Sequence, residues 1–174
     1  PNGKTFLTSI SRNCPSIVKL LIENGANPNL PDSFGNYPLV VALTSENHSL
    51  VVELLDSNKI DFSVKIPWKG DPTTKLKFDF KMQSAKYIEP TYKTYLHYAA
   101  RCSNEAILKE FLERNIIDIN ITDDAGETPL LDACRTKRIK NIELLFAQDN
   151  LDYNHKNVNN EDALAINPSN KLFL

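Results

Sequence analysis

A chain of 174 residues is long enough to bury a substantial core within one domain of ordinary size. Hydrophobic residues make up 41% and charged residues 24%, with Lys plus Arg at 20 against Asp plus Glu at 22, and the net charge of -2 excludes a global drive toward nucleic acid. No apolar run approaches the roughly 20 residues needed to span a bilayer, no basic-then-apolar amino-terminal segment suggests secretion, and Cys14, Cys102 and Cys134 lack the CxxC pairing of zinc or redox motifs.

The cysteines read as reduced, small buried residues, which favours a cytosolic or nuclear setting. Opening at Pro1-Asn2-Gly3 without a methionine, the chain reads as a piece of a longer protein. Its first turn and apolar start, Gly3-Lys4-Thr5-Phe6-Leu7, lead to a helix with paired apolar residues, Ile17-Val18-Lys19-Leu20-Leu21, and to a loop, Gly25-Ala26-Asn27-Pro28-Asn29. The same three phrases follow as Gly35-Asn36-Tyr37-Pro38-Leu39, Val51-Val52-Glu53-Leu54-Leu55 and Ile60-Asp61-Phe62-Ser63. Gly3 to Gly35 is 32 residues.

Then the period breaks. Phe62, Val64, Ile66 and Trp68 alternate with Ser63, Lys65, Pro67 and Lys69, and after Gly70-Asp71-Pro72-Thr73-Thr74 the alternation resumes with Leu76, Phe78, Phe80 and Met82. Two alternating runs about a Gly/Asp/Pro turn predict a β-hairpin over about residues 62–82, within an insertion over about 64–90. Seven lysines in 63–93 stand against Asp71, Asp79 and Glu89, a local charge of +4, whereas residues 32–62 carry a local charge of -4. The two regions are therefore expected to attract each other. Two readings of the insertion stand side by side. Its apolar face packs on the rest of the chain while the lysines protect a strand edge, or Trp68 with Lys75 and Lys77 forms a partner-binding arm. Nucleic-acid binding through the same residues lacks a recognised motif.

Beyond the insertion the phrases return as Lys93-Thr94-Tyr95-Leu96-His97, Ile107-Leu108-Lys109-Glu110-Phe111-Leu112 and Ile117-Asp118-Ile119-Asn120. They return again as Gly126-Glu127-Thr128-Pro129-Leu130, Ile142-Glu143-Leu144-Leu145-Phe146 and Leu151-Asp152-Tyr153-Asn154. Thr94 to Thr128 is 34 residues, and Tyr37 to Thr94 is 57, so the insertion adds about two dozen. Pro38 and Pro129 suit a first helical position that tolerates a missing N–H, with Thr128 as N-cap acceptor. Ala42, Ala99, Ala100, Ala133 and Cys134 let a short inner helix lie close to its neighbours, while the second helix carries the bulky apolar stripe. One such pair cannot cover its own apolar face, so neighbours must stack.

These phrases resemble the ankyrin repeat family, with its turn, T-P-L-H-x-A-A, second helix and G-A-D-V-N-like loop near a 33-residue period. Asp123-Asp124-Ala125-Gly126 followed by Thr128-Pro129-Leu130 is the strongest copy, and Thr94 through Ala100 is nearly as good. Phe6 replaces proline in the first copy and Tyr37 replaces threonine in the second. Asn157 to Ile166 reads as a degraded fifth start, with Asn160 for glycine and Ala163 for proline, and is either a cap or a truncated repeat. The resemblance implies an all-α solenoid in one domain over 1–174. Repeats are expected at about 1–31, 32–63, 91–122 and 123–156, with a partial one at 157–174.

It also implies that the chain binds another protein along a concave side made by turn tips and inner helices, with no cofactor or metal. The alternative is a structural or autoinhibitory segment that docks on another domain of its own chain. Carried over residue by residue, the tips are Ser33, Phe34 and Asn36, then Asp124, Ala125 and Glu127. Exposed inner-helix ends include Arg101 and Arg135, and Tyr98 and Asp132 face the groove. Tyr98, Arg101, Asp132 and Arg135 would thus share one surface, with tyrosine and arginine suited to binding hot spots. His97 is expected to hydrogen-bond backbone between repeats. His48 and His155 fall in loops without companion ligands, and Asp123-Asp124 and Glu161-Asp162 lie in turns as solvated carboxylates. No Gly-rich phosphate loop occurs, and nothing else suggests an enzyme.

Overall fold

A computed structural model describes Leu7, residues 14–68 and residues 91–168. Within them the helices alternate in role. Outer helices α1 (Pro15–Glu23), α3 (His48–Asp56), α5 (Glu105–Arg114) and α7 (Ile139–Phe146) follow one another along one side. The inner helices α2 (Pro38–Thr44), α4 (Tyr95–Arg101), α6 (Pro129–Arg135) and α8 (Ala163–Ile166) lie along the other. Each inner helix packs on the next, α2 on α4, α4 on α6 and α6 on α8, and each outer helix does the same, so the chain is a solenoid.

The inner helices start where the turn phrase predicts. Pro38 and Pro129 occupy the first turn, and the Thr128 hydroxyl accepts from Leu131 N at 3.3 Å. The outer helices α3 and α5 are capped by Asn47 and Asn104, whose side chains accept from Leu50 N and Ala106 N. His48 is thus the first residue of α3 rather than part of a loop, and it meets Glu110 at 3.2 Å. Ala42, Ala99, Ala100, Ala133 and Cys134 are buried at the close contacts between inner helices. Burial pushes the Cys102 and Cys134 thiols up to about 12, so neither is a thiolate at neutral pH.

Polar side chains lock successive helix pairs. Asn29 donates to Lys59 O and accepts from Asp61 N, and Asn120 makes the same pair of bonds to Asn150 O and Asp152 N. The Asp32 and Asp123 carboxylates and the Asn157 carboxamide oxygen each accept two backbone N–H groups of their own turn. The predicted strand content is present as a small antiparallel hairpin. Strand β1 (Ile66–Trp68) pairs with β2 (Thr91–Lys93), placing Trp68 opposite Thr91 and Ile66 opposite Lys93. Ile66 is buried, and Phe62, Val64 and Trp68 pack against the core, as the alternation requires. The second alternating run, 76–82, and its turn at 70–74 lie outside the described residues. The observed partner of β1 is the segment leading into α4, which sets the entry and exit of the insertion side by side and lets α4 stack on α2 without a gap.

Tyr95 replaces the first-turn proline in α4. Its ring is fully buried, edge-on to Phe62 at 6.1 Å, and its hydroxyl has no hydrogen-bond partner among the described residues. Burial raises its pKa well above the ordinary phenol range. A buried hydroxyl without a partner costs about 1–3 kcal/mol. Tyr95→Phe is therefore expected to stabilise the fold by about 1 kcal/mol in urea denaturation, and a loss of more than about 0.5 kcal/mol would show that the hydroxyl is bonded.

Candidate partner-binding surface

The groove residues assemble around the stem of the insertion. Trp68 of β1 lies edge-on to Tyr98 of α4 with ring centroids 5.2 Å apart. The Arg101 guanidinium sits 4.7 Å from the Trp68 centroid and the Lys93 ammonium 5.5 Å from it. Lys93 Nζ donates to Asp123 Oδ2 and to Asp132 Oδ2, both at 2.7 Å, and Arg101 Nη1 donates to Asp132 Oδ1 at 2.9 Å. Two cations thus face two carboxylates in a site from which water is largely excluded. Outside it, Lys65 meets Asp124 at 3.2 Å, and Tyr92 N donates to the same aspartate.

Several expectations are corrected by this arrangement. Tyr98 is only 8% exposed, because the insertion stem covers it, and burial pushes its hydroxyl up to about 12. Asp132 is buried between Lys93 and Arg101 instead of lining an open groove. The Asp123 side chain is buried too, held by its own turn and by Lys93 rather than by solvent. Lys65 and Lys93 pair with the helix pair that follows α5, not with the acidic stretch 32–62, because β2 feeds directly into α4 and the next turn lies alongside it.

A second cluster lies one repeat along. Arg135 donates to both carboxylate oxygens of Glu127 and to Glu161, and Asn157 donates to the same two acids. The Glu127 bond, then that to Glu161, raises the Arg135 pKa above its ordinary value. Glu127 is buried by these contacts and is not an open tip. Arg135 keeps one edge in solvent. Phe34 is exposed at its turn, and Asn36 is tied to the Asp32 carboxylate. Lys75 and Lys77 lie outside the described residues.

His97 hydrogen-bonds backbone of the next repeat, as the resemblance implies. Its Nδ1 accepts from Thr94 N at 3.3 Å, so the ring proton resides on Nε2, which donates to Glu127 O at 2.8 Å. Burial holds the imidazole below its ordinary pKa and keeps it neutral. His155 Nε2 meets Gly126 O at 2.9 Å in a similar bond. Among the described residues no group of three His, Cys, Asp or Glu could hold a metal, and no helix is long and apolar enough to cross a membrane.

From the sequence, Lys93 has no role in the site: it stands in the turn phrase before Thr94 and among the seven lysines of 63–93. The signal that could have singled it out is positional. Lys93 and Arg101 are separated like Glu127 and Arg135, but they carry like charges, so anions must be supplied by the following turn and helix.

Comparison with known proteins agrees with this architecture. A family model described as ankyrin repeats in three copies matches residues 69–157, and one described as an ankyrin repeat matches residues 2–33. Rabankyrin-5 of Homo sapiens is 25% identical over 199 residues, covering 95% of this chain and 17% of that protein. Rabankyrin-5 of Mus musculus is 24% identical over 197 residues, covering 94% of this chain and 16% of its own length. The chain therefore spans 16–17% of the length of these curated relatives. Stacked inner and outer helices, proline-started turns, buried His97 and a family match over more than half of the residues lead to one conclusion: the chain belongs to the ankyrin repeat family.

Proposed function

We propose that this chain is a protein-interaction module that uses the inserted segment as its binding arm. Members of the ankyrin repeat family serve generally in protein interaction. The observation that carries the finer reading is the anchorage of the insertion. Its stem is fixed by the Lys93–Asp123–Asp132–Arg101 ion pairs and by Trp68 against Tyr98, so a segment leaving this stem starts from a rigid base. Tyr98, Arg101 and Asp132 are engaged within the chain, which turns the reading toward Lys75 and Lys77 of the insertion and toward the solvent-exposed faces of Phe34 and Arg135 on the rim.

The test keeps the stem and removes the arm. Because Trp68 stands opposite Thr91, replacing residues 69–90 by Asn-Gly closes the strand pair with a two-residue turn. The shortened loop changes closure entropy little, and helix pairs that contact chiefly their neighbours should stay folded. Proteins captured from a lysate of the native cells by the intact chain are expected to be lost with the variant while its melting temperature stays within a few degrees. Retention of the same proteins by a folded variant would move the site to the rim. Loss of folding would show that the arm belongs to the core.

A further inference from the structure

The structure assigns Asn24, at the carboxyl end of α1, as a site of spontaneous deamidation and isomerisation that slowly unlocks α1 from α3. Among the described residues Asn24 is the only asparagine followed by glycine. The glycine stands there for a conformational reason. Gly25 has φ +92°, and its N–H donates to Ile22 O at 3.2 Å while that of Ala26 donates to Leu21 O at 2.9 Å, the paired bonds that close a helix through a left-handed residue. At the ends of α3 and α5 the left-handed residue is Asn58 or Asn115 itself, with φ 52° and 48°. The residues that follow these two, Lys59 and Ile116, carry side chains that hinder attack by their own nitrogens. The closure of α1 therefore places an unhindered backbone nitrogen directly after a carboxamide.

The chemistry needs only water. The Gly25 nitrogen gives up its proton and bonds to Asn24 Cγ, the Cγ–Nδ2 bond breaks, and ammonia leaves a cyclic imide. Water then opens the imide at the side-chain carbonyl to give aspartate, or at the main-chain carbonyl to give isoaspartate, whose backbone runs through the side-chain carbon. Asn24 and Gly25 are exposed at a helix end, where local opening costs least. In the closed turn Nδ2 is held on Leu20 O at 2.8 Å and the Gly25 N–H on Ile22 O, so the reaction proceeds through opening of that turn. Either product removes the donor to Leu20 O and sets a carboxylate at the negative end of the helix. Isoaspartate also lengthens the backbone by a methylene, which takes the Gly25 and Ala26 N–H groups out of register with their acceptors. Ile22 O accepts from Lys59 Nζ as well, at 2.9 Å, and Asn29 binds Lys59 O and Asp61 N, so the loss reaches the contact between α1 and α3.

The experiment ages the chain carrying Asn2→Gln, since Asn2 also precedes a glycine, at neutral pH and body temperature. Peptide mapping and labelling with an isoaspartyl methyltransferase are expected to find isoaspartate at position 24, accumulating faster in urea than in buffer. It should be absent when Asn24→Gln is added. The deamidated fraction, separated by its extra negative charge, should melt about 2 °C or more below the intact fraction. Accumulation in urea with none in buffer would overturn the assignment, because the closed turn would then suppress the reaction. Equal rates in the two solvents would overturn the requirement for opening, and an unchanged melting temperature would overturn the unlocking. If Asn24→Gln fails to fold, mapping of the Asn2→Gln chain alone still decides whether position 24 reacts.

Discussion

Lys93→Met should destabilise the fold by about 3–5 kcal/mol in urea denaturation. The substitution keeps most of the aliphatic stem but removes a cation whose two partners, Asp123 and Asp132, have buried side chains. A buried ion pair adds little over apolar packing, yet deleting one partner leaves an uncompensated charge in a low-dielectric site. Arg101 still faces Asp132, so the excess negative charge falls chiefly on Asp123, which its own turn cannot release. Lys65→Met provides the contrast. Lys65 is a largely exposed partner of Asp124, and its loss should cost well under about 1 kcal/mol. If the two substitutions cost the same, the Lys93 cluster does not anchor the stem. A Lys93→Met/Asp123→Asn double variant should recover part of the loss, since it removes the uncompensated charge while the amide oxygen can still accept the N–H groups of its turn.

That cluster marks the boundary of what the sequence alone conveys. The helix pairs were legible because their signals are local: a proline after a turn, a pair of small residues, then apolar residues spaced for a helix face, all repeating at a fixed period. The alternation through Phe62, Val64, Ile66 and Trp68 was legible for the same reason, and those residues do face the core. Long-range coverage carried no local signal. Tyr98 and Asp132 occupy the position that faces the groove in the family. They become buried here because Trp68, 30 residues before Tyr98, and Lys93, 39 residues before Asp132, fold over them. Likewise Asp123 looks like a solvated turn residue until the lysine of the preceding unit is placed beside it.

The burial of the groove residues changes which substitutions can report on binding. Truncating Tyr98 would remove a packed ring beneath Trp68, so lost binding in such a variant could not be separated from lost structure. Arg135, with its open edge, and Phe34 remain usable probes on the rim, and the arm deletion leaves the whole cluster intact.

Leu130→Ala is expected to cost about 2–5 kcal/mol, the range for removing a large aliphatic side chain from a packed interior. Leu130 is fully buried at the second position of α6, which packs on α4, α7 and α8, so the lost methyl groups leave a void that three different elements would have to fill. Because a solenoid is held together by neighbour contacts, the damage should be regional. The helices from α4 onward loosen, while α2 and α3 keep their own interface, and the urea transition broadens with a smaller slope as unfolding ceases to be all-or-none. Amide exchange would locate the effect by faster exchange in α6 and α8 than in α3. A cost below about 0.5 kcal/mol would mean that Leu130 does not sit between units. An unchanged slope with a full-sized cost would mean that the stack unfolds as one body, and that the stem ion pairs tie it together more tightly than neighbour contacts alone.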